Sequence, residues 1–423
     1  MKVGSFSLAC AILLLACAPS STDINKEKRS DGNLLTAEEW QENIEIVAEV
    51  LKSNHPDPFA YSDESEFDRR LRILGEKLDL LDDHEVLIGL IAAVASIEDG
   101  HTAIRGGFSF LSGQYPFKFY AFSDGLFVTA ANDAHQSLVG ARLVSIGGVS
   151  SKEALDRVVG ITPHENAMTQ LERAPAFLSL PEALDALGLA SSLERAEFVF
   201  RQPDGSEYAV EAVPVSLEDR IYWSGDAAPS DRPLHRQRRG RNYWSEYLED
   251  AGVLYVQFNR VRNDKDQSIS DFAAERATFE AKYAPRCVFL DIRDNGGGNG
   301  YFNPPVVEWV ANSPSARQGR FFVAIGRATF SAAQKLATAL ELETGAVFVG
   351  EPTGSRPNHF GDSESFQLPH GDLTLSVSSL YWEDAGTEDS RDALEPDIAV
   401  SAASEDYFTF TDPVLNAVIA RCR

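Results

Sequence analysis

Two loops of the sequence combine residue types that could carry out acyl transfer. Ser331 stands after an apolar run and directly before a helical pattern, where free helix amides, including that of Ala332, can stabilise an oxyanion. The glycine run 296–298 follows another apolar run, and without Cβ atoms its amides, that of Gly297 among them, can approach the same charge. Each feature alone has a plainer interpretation, because serine is a favoured helix N-cap and glycine clusters also make turns or phosphate cradles.

The segments around these loops are predicted to alternate between strands and helices. Apolar runs at residues 286–292 and 321–325 are typical of buried parallel strands, and residues 346–349 repeat the pattern. Helical patterns follow the first two runs, at 304–311 and 331–342. Because the carboxyl ends of parallel strands meet at one edge of a sheet, both loops are expected at that edge. The pattern predicts an α/β core.

Four segments stand in the order and approximate spacing of one peptidase family. Residues 290–298 (Leu-Asp-Ile-Arg-Asp-Asn-Gly-Gly-Gly) resemble the Asp-x-Arg-x-Asn-Gly-Gly-Gly signature of the S41, or C-terminal processing, peptidases. Residues 329–333 resemble their nucleophile segment, 349–354 their Gly-Glu-x-Thr-x-Gly loop, and 394–398 their Pro-Asp-Ile element.

The resemblance implies a secreted serine peptidase that cleaves peptide bonds through an acyl-enzyme, with Ser331 as its nucleophile. It also implies an S41-type catalytic domain of crotonase-like or ClpP-like βα units over residues 251–423. In that mechanism the amides of Gly297 and Ala332 stabilise the tetrahedral oxyanion. A peptide or protein substrate, without a cofactor, is implied by the family and not by any single residue.

The general base is where the sequence departs from the best-known branch of the family. That branch places a lysine in or just after the Gly-Glu-x-Thr loop, but residues 352–358 contain none. Lys335 lies one residue beyond the Ser-x-x-Lys spacing and is expected to be a solvated helix lysine. The tricorn-like branch uses Ser-His-Glu instead. His101 stands where that branch places its base, and His359 is the reserve candidate.

The carboxylate that orients the base is expected, from the family, shortly before the Pro-Asp element. Glu388 fits the family spacing best, and Glu395 and Asp389 are the alternatives. The resulting hypothesis is that His101 removes the Ser331 proton while Glu388 holds the imidazole.

Three segments precede the catalytic region. Apolar residues at three- and four-residue steps predict an N-terminal helical domain over residues 36–110. Short β-like runs separated by Gly, Asp and Pro turns predict a β-rich module over 111–216, in which residues 139–149 resemble the latter half of a PDZ domain. The polar residues 217–250 are expected to form a linker or a long loop.

The amino-terminal residues are typical of an export signal. A positive residue and an apolar run too short to span a membrane fill residues 1–16. The run closes as Leu-Leu-Ala-Cys, which resembles the bacterial lipobox and makes Cys17 the lipid-carrying mature N-terminus; the alternative is ordinary cleavage that frees the protein. Residues 17–35 are expected to be a flexible tether. These features predict a protein of the bacterial cell envelope, periplasmic or surface-facing, that meets the membrane only through its anchor.

Composition argues against two classes of partner. The chain carries 64 acidic and 38 basic side chains, a formal charge of −26, so nucleic acid is not an expected partner. Eight histidines without an HExxH motif or a close His/Asp cluster indicate no metal site. Cys287 and Cys422 are too few for a disulfide scaffold; Cys287 is expected to be a buried small hydrophobe, and whether the two pair stays open.

Two rival functions remain from the sequence. A crotonase-like acyl-CoA enzyme has a similar core and also uses glycine amides around an oxyanion, but it does not need export. A catalytically inactive S41-like envelope binding protein, which would hold a partner with its helical and PDZ-like modules, agrees with the absent lysine. Labelling with a serine-reactive fluorophosphonate separates an enzyme from a binding protein.

Overall fold

The computed structural model describes residues 33–217 and 232–423, and the predicted signal segment and most of the predicted tether lie outside them. The helices are α1 Ala37–Asn54, α2 Glu64–Gly75, α3 Asp83–Ala95, α4 Ser151–Val159, α5 Ala167–Arg173, α6 Pro181–Ala186, α7 Ile269–Tyr283, α8 Pro304–Asn312, α9 Pro314–Arg317, α10 Ala332–Glu343, α11 Ser404–Phe408 and α12 Pro413–Arg421. The strands are β1 Ala103–Gly106, β2 Phe117–Phe122, β3 Gly125–Ala131, β4 Arg142–Ile146, β5 Val149–Ser150, β6 Ala196–Arg201, β7 Glu207–Ala212, β8 Tyr243–Leu248, β9 Val253–Phe258, β10 Cys287–Asp291, β11 Phe321–Ile325, β12 Val347–Gly350, β13 His359–Gly361, β14 Glu364–Gln367, β15 Leu373–Val377, β16 Leu380–Trp382 and β17 Ile398–Ala399. In the described part of the chain, no helix is long and apolar enough to cross a membrane.

The amino-terminal helices form where the sequence predicts them. Thr36 and Glu39 make a capping box at the start of α1, so both ends of the first turn have their backbone amides satisfied. The buried face of α1 carries apolar residues at helical spacing, among them Trp40, Ile44 and Val47. Helices α2 and α3 pack beside it in the same core.

The carboxy-terminal region is built on a six-stranded sheet in the order β17-β12-β11-β10-β9-β8. All neighbours run parallel except β8, which pairs antiparallel with β9. Every residue of β9, β10 and β11 is buried, because helices cover both faces. Helices α7, α8 and α10 pack on one face, and α12 packs on the other. The predicted mixed α/β core is confirmed.

The β-rich module is a second sheet in the order β2-β3-β4-β6-β7, with β5 paired to β4. Between α4 and β6 the chain makes an excursion over residues 160–190, here called the arm. A short 3₁₀-helix of the arm, Ala174–Ser179, contacts both β2 and α4. The amide of Tyr115 donates to Ser179 O at 2.7 Å, and Ser179 Oγ donates to Phe117 O at 2.6 Å. The surface between β2 and α4 is therefore occupied by the arm; the likeness of the module to a PDZ domain stays a prediction.

One core joins segments that are far apart in sequence. The amino-terminal helices, the β-rich module and residues of β15 share a single set of buried apolar side chains. The small sheet β1-β15-β14 makes this connection, since β15 pairs antiparallel with β1. The domain bounds predicted at residues 110 and 250 stay a prediction, but the packing is continuous across the first of them.

The two cysteines of the described chain form a disulfide bond, Cys287–Cys422, which answers the question the sequence left open. Cys287 is buried as expected, but it is not an isolated small hydrophobe. The bond ties the end of α12 to β10, and at the other end of α12 Asp412 accepts two hydrogen bonds from Arg293 at 2.9 and 3.0 Å. Helix α12 is thus fixed to the sheet at both ends.

Candidate active site

Ser331 occupies the turn between β11 and α10, at the edge of the sheet where the sequence predicts it. Its backbone has φ 54° and ψ −128°, a conformation that costs a non-glycine residue about 1–3 kcal/mol. Within the described residues, its side chain caps no backbone amide, although it stands at the N-cap position of α10. The plainer interpretation of Ser331 as a capping serine therefore fails, and a strained strand-to-helix turn that exposes a serine hydroxyl is the geometry of a nucleophile.

Residues of segment 290–298 form hydrogen bonds with the turn at Ser331. Asn295 O accepts from the Phe330 amide at 3.1 Å, and Asn295 Nδ2 donates to Phe258 O at 2.8 Å. Thr329 Oγ1 donates to Ile292 O at 3.0 Å. The segment 290–298 thus has a structural role, because these bonds hold Thr329 and Phe330, the two residues that precede the serine.

Gly297 packs directly against Ser331. A Cβ atom on it would lie 2.8 Å from Ser331 Cβ and 2.9 Å from the Ala332 nitrogen, and its φ is +104°, so only glycine fits there. Its own amide donates to Asn295 Oδ1 at 2.9 Å. Among residues 33–217 and 232–423, no acceptor is hydrogen-bonded to the amides of Ala332 and Gly298. The amide predicted at Ala332 is therefore available to an oxyanion, whereas that of Gly297 is engaged in this structure.

His101 lies between α3 and β1 and stacks on the nucleophile segment. Its ring centroid is 4.5 Å from that of Phe330, which precedes Ser331. The approach requires Gly100, because a Cβ atom there would lie 2.8 Å from the Phe330 ring. The side chain is 13% exposed, and its Nε2 is buried without a hydrogen-bond partner among the described residues. One ring nitrogen of the predicted base is thus free to accept a proton.

The other ring nitrogen of His101 is held by Glu165, a residue of the arm. Glu165 Oε1 lies 3.2 Å from His101 Nδ1. Its second oxygen, Oε2, accepts from Ser355 Oγ at 2.6 Å and from the Arg356 amide at 2.9 Å. With these partners the carboxylate is 2% exposed and fixed in orientation. An imidazole that donates from Nδ1 to a fixed carboxylate presents Nε2 as a base.

Several carboxyl and imidazole groups at this site have shifted pKa values. Burial favours a neutral Glu165, but the hydrogen bond from His101 and the neighbouring His359 outweigh burial and hold the pKa of Glu165 below its ordinary value. Burial lowers the pKa of His359, whose Nδ1 lies 3.1 Å from Arg356 O. The site therefore combines an ionised carboxylate with a neutral second histidine.

The structure does not bring the predicted carboxylates to the imidazole. Glu388 is exposed in a turn, and Glu395 is exposed as well. Asp389 is paired with Arg391 at 2.6 Å, and this partner lowers the pKa of Asp389. The carboxylate in contact with His101 Nδ1 is that of Glu165, which the sequence reasoning missed.

Two residues weighed as alternative bases have other environments than expected. Lys335 is only 19% exposed, with Nζ 3.1 Å from the centroid of the Trp382 ring and 3.7 Å from Asp384 Oδ2. It is therefore packed on an aromatic face and is not the solvated helix lysine that the sequence predicts. His359 lies parallel to His101 with ring centroids 5.9 Å apart, as a neighbour of the base.

A metal ion is the alternative use of the same side chains. Asp99, His101 and Glu165 each offer a ligand atom, and these atoms lie within 4.8 Å of one another. Each of them is already joined to protein donors or acceptors by hydrogen bonds. These hydrogen bonds form an imidazole–carboxylate network, and the expectation that no metal binds here stays a prediction.

No signal in the sequence singles out Glu165. It lies in Thr-Pro-His-Glu-Asn, outside every motif, among 64 acidic residues. The contacts that select it are long-range: Asn166 Nδ2 donates to Thr353 O at 3.0 Å, and Thr169 Oγ1 bonds Gly354 O. The Gly-Glu-x-Thr loop therefore binds the arm, and this contact can be seen only in the three-dimensional structure.

Comparison with known proteins agrees with this architecture. No protein-family model matches the sequence, and no curated protein matches it. Among solved structures, mature CPAF in complex with lactacystin has a TM-score of 0.64 at 13% identity, covering 91% of this chain and 98% of CPAF. The photosystem II D1 C-terminal processing protease (TM-score 0.42, 14% identity, 90% and 96% covered) and the tricorn protease (0.42, 14%, 91% and 36%) are more distant. The likeness to CPAF shows the fold, and the predicted S41-type peptidase fold is confirmed.

Proposed function

We propose that the protein is an exported serine peptidase that hydrolyses peptide bonds through an acyl-enzyme on Ser331. The observation that carries the proposal is the strained turn at Ser331, with φ 54° and a side chain that caps no amide in the described chain. Such strain persists only where the surrounding structure enforces it, and it clusters at functional sites. Because the Ser331 hydroxyl makes no capping hydrogen bond in the described chain, it is available for nucleophilic attack.

The proposed mechanism uses three side chains. Glu165 accepts Nδ1–H of His101, so Nε2 carries the lone pair that takes the Ser331 proton as Oγ attacks the scissile carbonyl. The Ala332 amide, with the neighbouring glycine run, donates to the oxyanion. Imidazolium then protonates the leaving amine, and water, deprotonated by the same nitrogen, hydrolyses the ester. Glu388, the family-based alternative to Glu165, is tested against it below.

A peptide substrate is supported by the apolar rim of the site. Leu380 is 46% exposed and pairs with Gly361, whose Cβ position lies 3.9 Å from His101 Cε1. Tyr301 is 84% exposed beside the glycine run. Exposed apolar side chains next to the loops of the proposed site support contact with an extended peptide.

Export and anchoring remain part of the proposal. The Leu-Leu-Ala-Cys sequence ending at Cys17 supports lipidation, and the disulfide bond is consistent with an oxidising compartment such as the periplasm or the cell surface. Replacing Cys17 with Ala should release the protein from membranes. A Cys17→Ala protein that still partitions with detergent and carries lipid would contradict the anchor.

Digestion of an unfolded protein tests the activity. Reduced and alkylated casein, incubated with the purified protein and analysed by mass spectrometry, should yield discrete fragments, and Ser331→Ala should yield none. Intact casein in both samples, with no fluorophosphonate labelling of the unmodified chain, would favour the inactive binding protein instead.

A further inference from the structure

The imidazole of His101 faces a second buried carboxylate besides Glu165. Asp99 Oδ1 lies 3.9 Å from His101 Nδ1 and accepts the backbone amide of His101 at 2.9 Å. Its side chain is 2% exposed. Because Glu165 already satisfies the ring hydrogen bond, Asp99 is not needed as the partner of Nδ1, and its charge is left facing the ring.

Asp99 is fixed by three further donors, all of which reach Oδ2. His55 Nε2 lies at 3.1 Å, Ser378 Oγ at 2.6 Å and Thr102 Oγ1 at 2.5 Å. The tautomer of His55 follows from its other nitrogen, because Nδ1 accepts the Asp57 amide at 3.2 Å and Nε2 must therefore carry the hydrogen. An acceptor with four donors is ionised and immobile, although burial alone favours its neutral form.

We propose that Asp99 is a positioning residue whose buried charge acts through His101: together with Glu165 it stabilises the imidazolium formed when His101 takes the proton of Ser331. The inference rests on the proposed function. A carboxylate within 4–6 Å favours the charged imidazole, and a buried pair is weakly screened. Glu165 orients the ring by a hydrogen bond, whereas Asp99 supplies charge and holds the backbone of His101.

The other titratable and charged groups around His101 are unchanged in the test. His359 lies beside the ring, and Arg173 donates to Gly100 O at 2.9 Å on the side of Phe330. Arg356 approaches through Glu165, whose Oε2 accepts its amide. The Lys335–Asp384 pair lies beyond Trp382. None of these contacts Asp99 through a hydrogen bond in the described chain, so its substitution leaves them in place.

The substitution must remove the charge of Asp99 without placing two hydrogen-bond donors opposite each other. In Asp99→Asn the new amide would face the N–H of His55, whereas the Thr102 and Ser378 hydroxyls can rotate to accept. The double variant Asp99→Asn with His55→Gln restores the match, because the Gln carbonyl accepts from the Asn amide. His55→Gln alone is the control, since its amide still donates to an ionised Asp99.

The measurement is the pH dependence of the second-order rate at which a fluorophosphonate labels Ser331. In the control the acid limb should coincide with that of the unmodified protein, and in the double variant it should move about one pH unit lower, because the histidine loses an anionic neighbour. Melting temperature reports folding of each variant. A folded double variant whose acid limb coincides with that of His55→Gln overturns the role of Asp99. If instead the unmodified protein does not label, the proposed function itself fails.

Discussion

The turn that carries Ser331 and the arm that carries Glu165 meet at one imidazole but are built by different rules. The turn lies at the end of a buried parallel strand, holds a strained serine, and leaves room only for glycine at position 297. The arm has short helices and is joined to the loop after β12 by two hydrogen bonds: Glu165 accepts from the Arg356 amide, and Asn166 donates to Thr353 O. A strained backbone permits few residue types and therefore produces a recognisable sequence motif. A carboxylate, by contrast, can be supplied by any part of the chain.

The largest expected effect separates two serines at helix starts. Ser331→Ala should lower casein hydrolysis by about 10⁶-fold, with stability changed by less than about 1 kcal/mol, because its hydroxyl caps nothing in the described structure. Ser268 caps α7 by accepting from the Asp271 amide, so Ser268→Ala should cost about 1 kcal/mol and leave hydrolysis intact. Kinetics and denaturant titrations of both variants check this. Equal losses of activity would remove the distinction.

The second effect decides which glutamate orients the base. Glu165→Gln should reduce kcat/KM by about 10³-fold, because the imidazole loses its anionic partner and its correct tautomer. Glu388→Gln should be near neutral, since Glu388 is exposed in a turn. Steady-state kinetics on one fluorogenic peptide compare the two. A damaged Glu388→Gln enzyme beside an active Glu165→Gln enzyme would restore the family-based assignment and reject the arm.

The third effect concerns the disulfide bond that fixes helix α12 to the sheet. The Cys287–Cys422 bond closes a loop over a sequence separation of 135, and replacing both cysteines with Ser should cost about 2–5 kcal/mol of stability. Labelling of Ser331 at a temperature where the variant is folded should be retained, because α12 lies on the sheet and not in the site. In calorimetry, reductant should lower the melting temperature of the unmodified protein but not that of the variant. A melting temperature of the unmodified protein that reductant leaves unchanged would contradict the bond.

The smallest expected effect is on the pH dependence of stability, to which two glutamates of the arm contribute with opposite signs. The pKa of Glu165 is held below its ordinary value, so its contribution to stability is complete above about pH 4.5 and is lost as pH falls through the folded value. Burial and the neighbouring Asp294 raise the pKa of Glu172 to about 7, so stability is lost as pH rises from 4.5 towards 7.

Two Gln variants separate these slopes. Glu172→Gln should melt higher than the unmodified protein at pH 8 and equally at pH 4. Glu165→Gln should melt lower at neutral pH and approach the unmodified protein below about pH 4. Melting curves across this range test both signs. A Glu172→Gln protein that is no more stable at pH 8 would show that the Glu172 carboxyl is not buried with a raised pKa.

The sequence predicted the large regular elements well. The strand Phe321–Ile325 has the predicted bounds, because a continuous apolar run indicates a strand that is buried on both faces. The position of Ser331 was predicted from its place between an apolar run and a helical pattern and from the resemblance of residues 329–333 to the S41 nucleophile segment.

The elements and site residues that the sequence did not predict depend on long-range contacts or are too short to produce a local sequence pattern. Helices α5 and α6 have seven and six residues, too few for a helical period to stand out. The strands of the β13-β16 pair have three residues each. Glu165 is selected by Ser355 and the Arg356 amide, 190 and 191 residues away. The carboxylate was therefore sought near the Pro-Asp element, where the family places it.

The central claim is that His101, held by a carboxylate of the arm, activates Ser331. It is tested most directly by treating the unmodified protein and Glu165→Gln with a fluorophosphonate and locating the adduct by peptide mass spectrometry. The account predicts a single adduct on Ser331 in the unmodified protein, and the same adduct formed about 10³-fold more slowly in the variant. An adduct on another serine, or equal labelling rates in the two proteins, would contradict it.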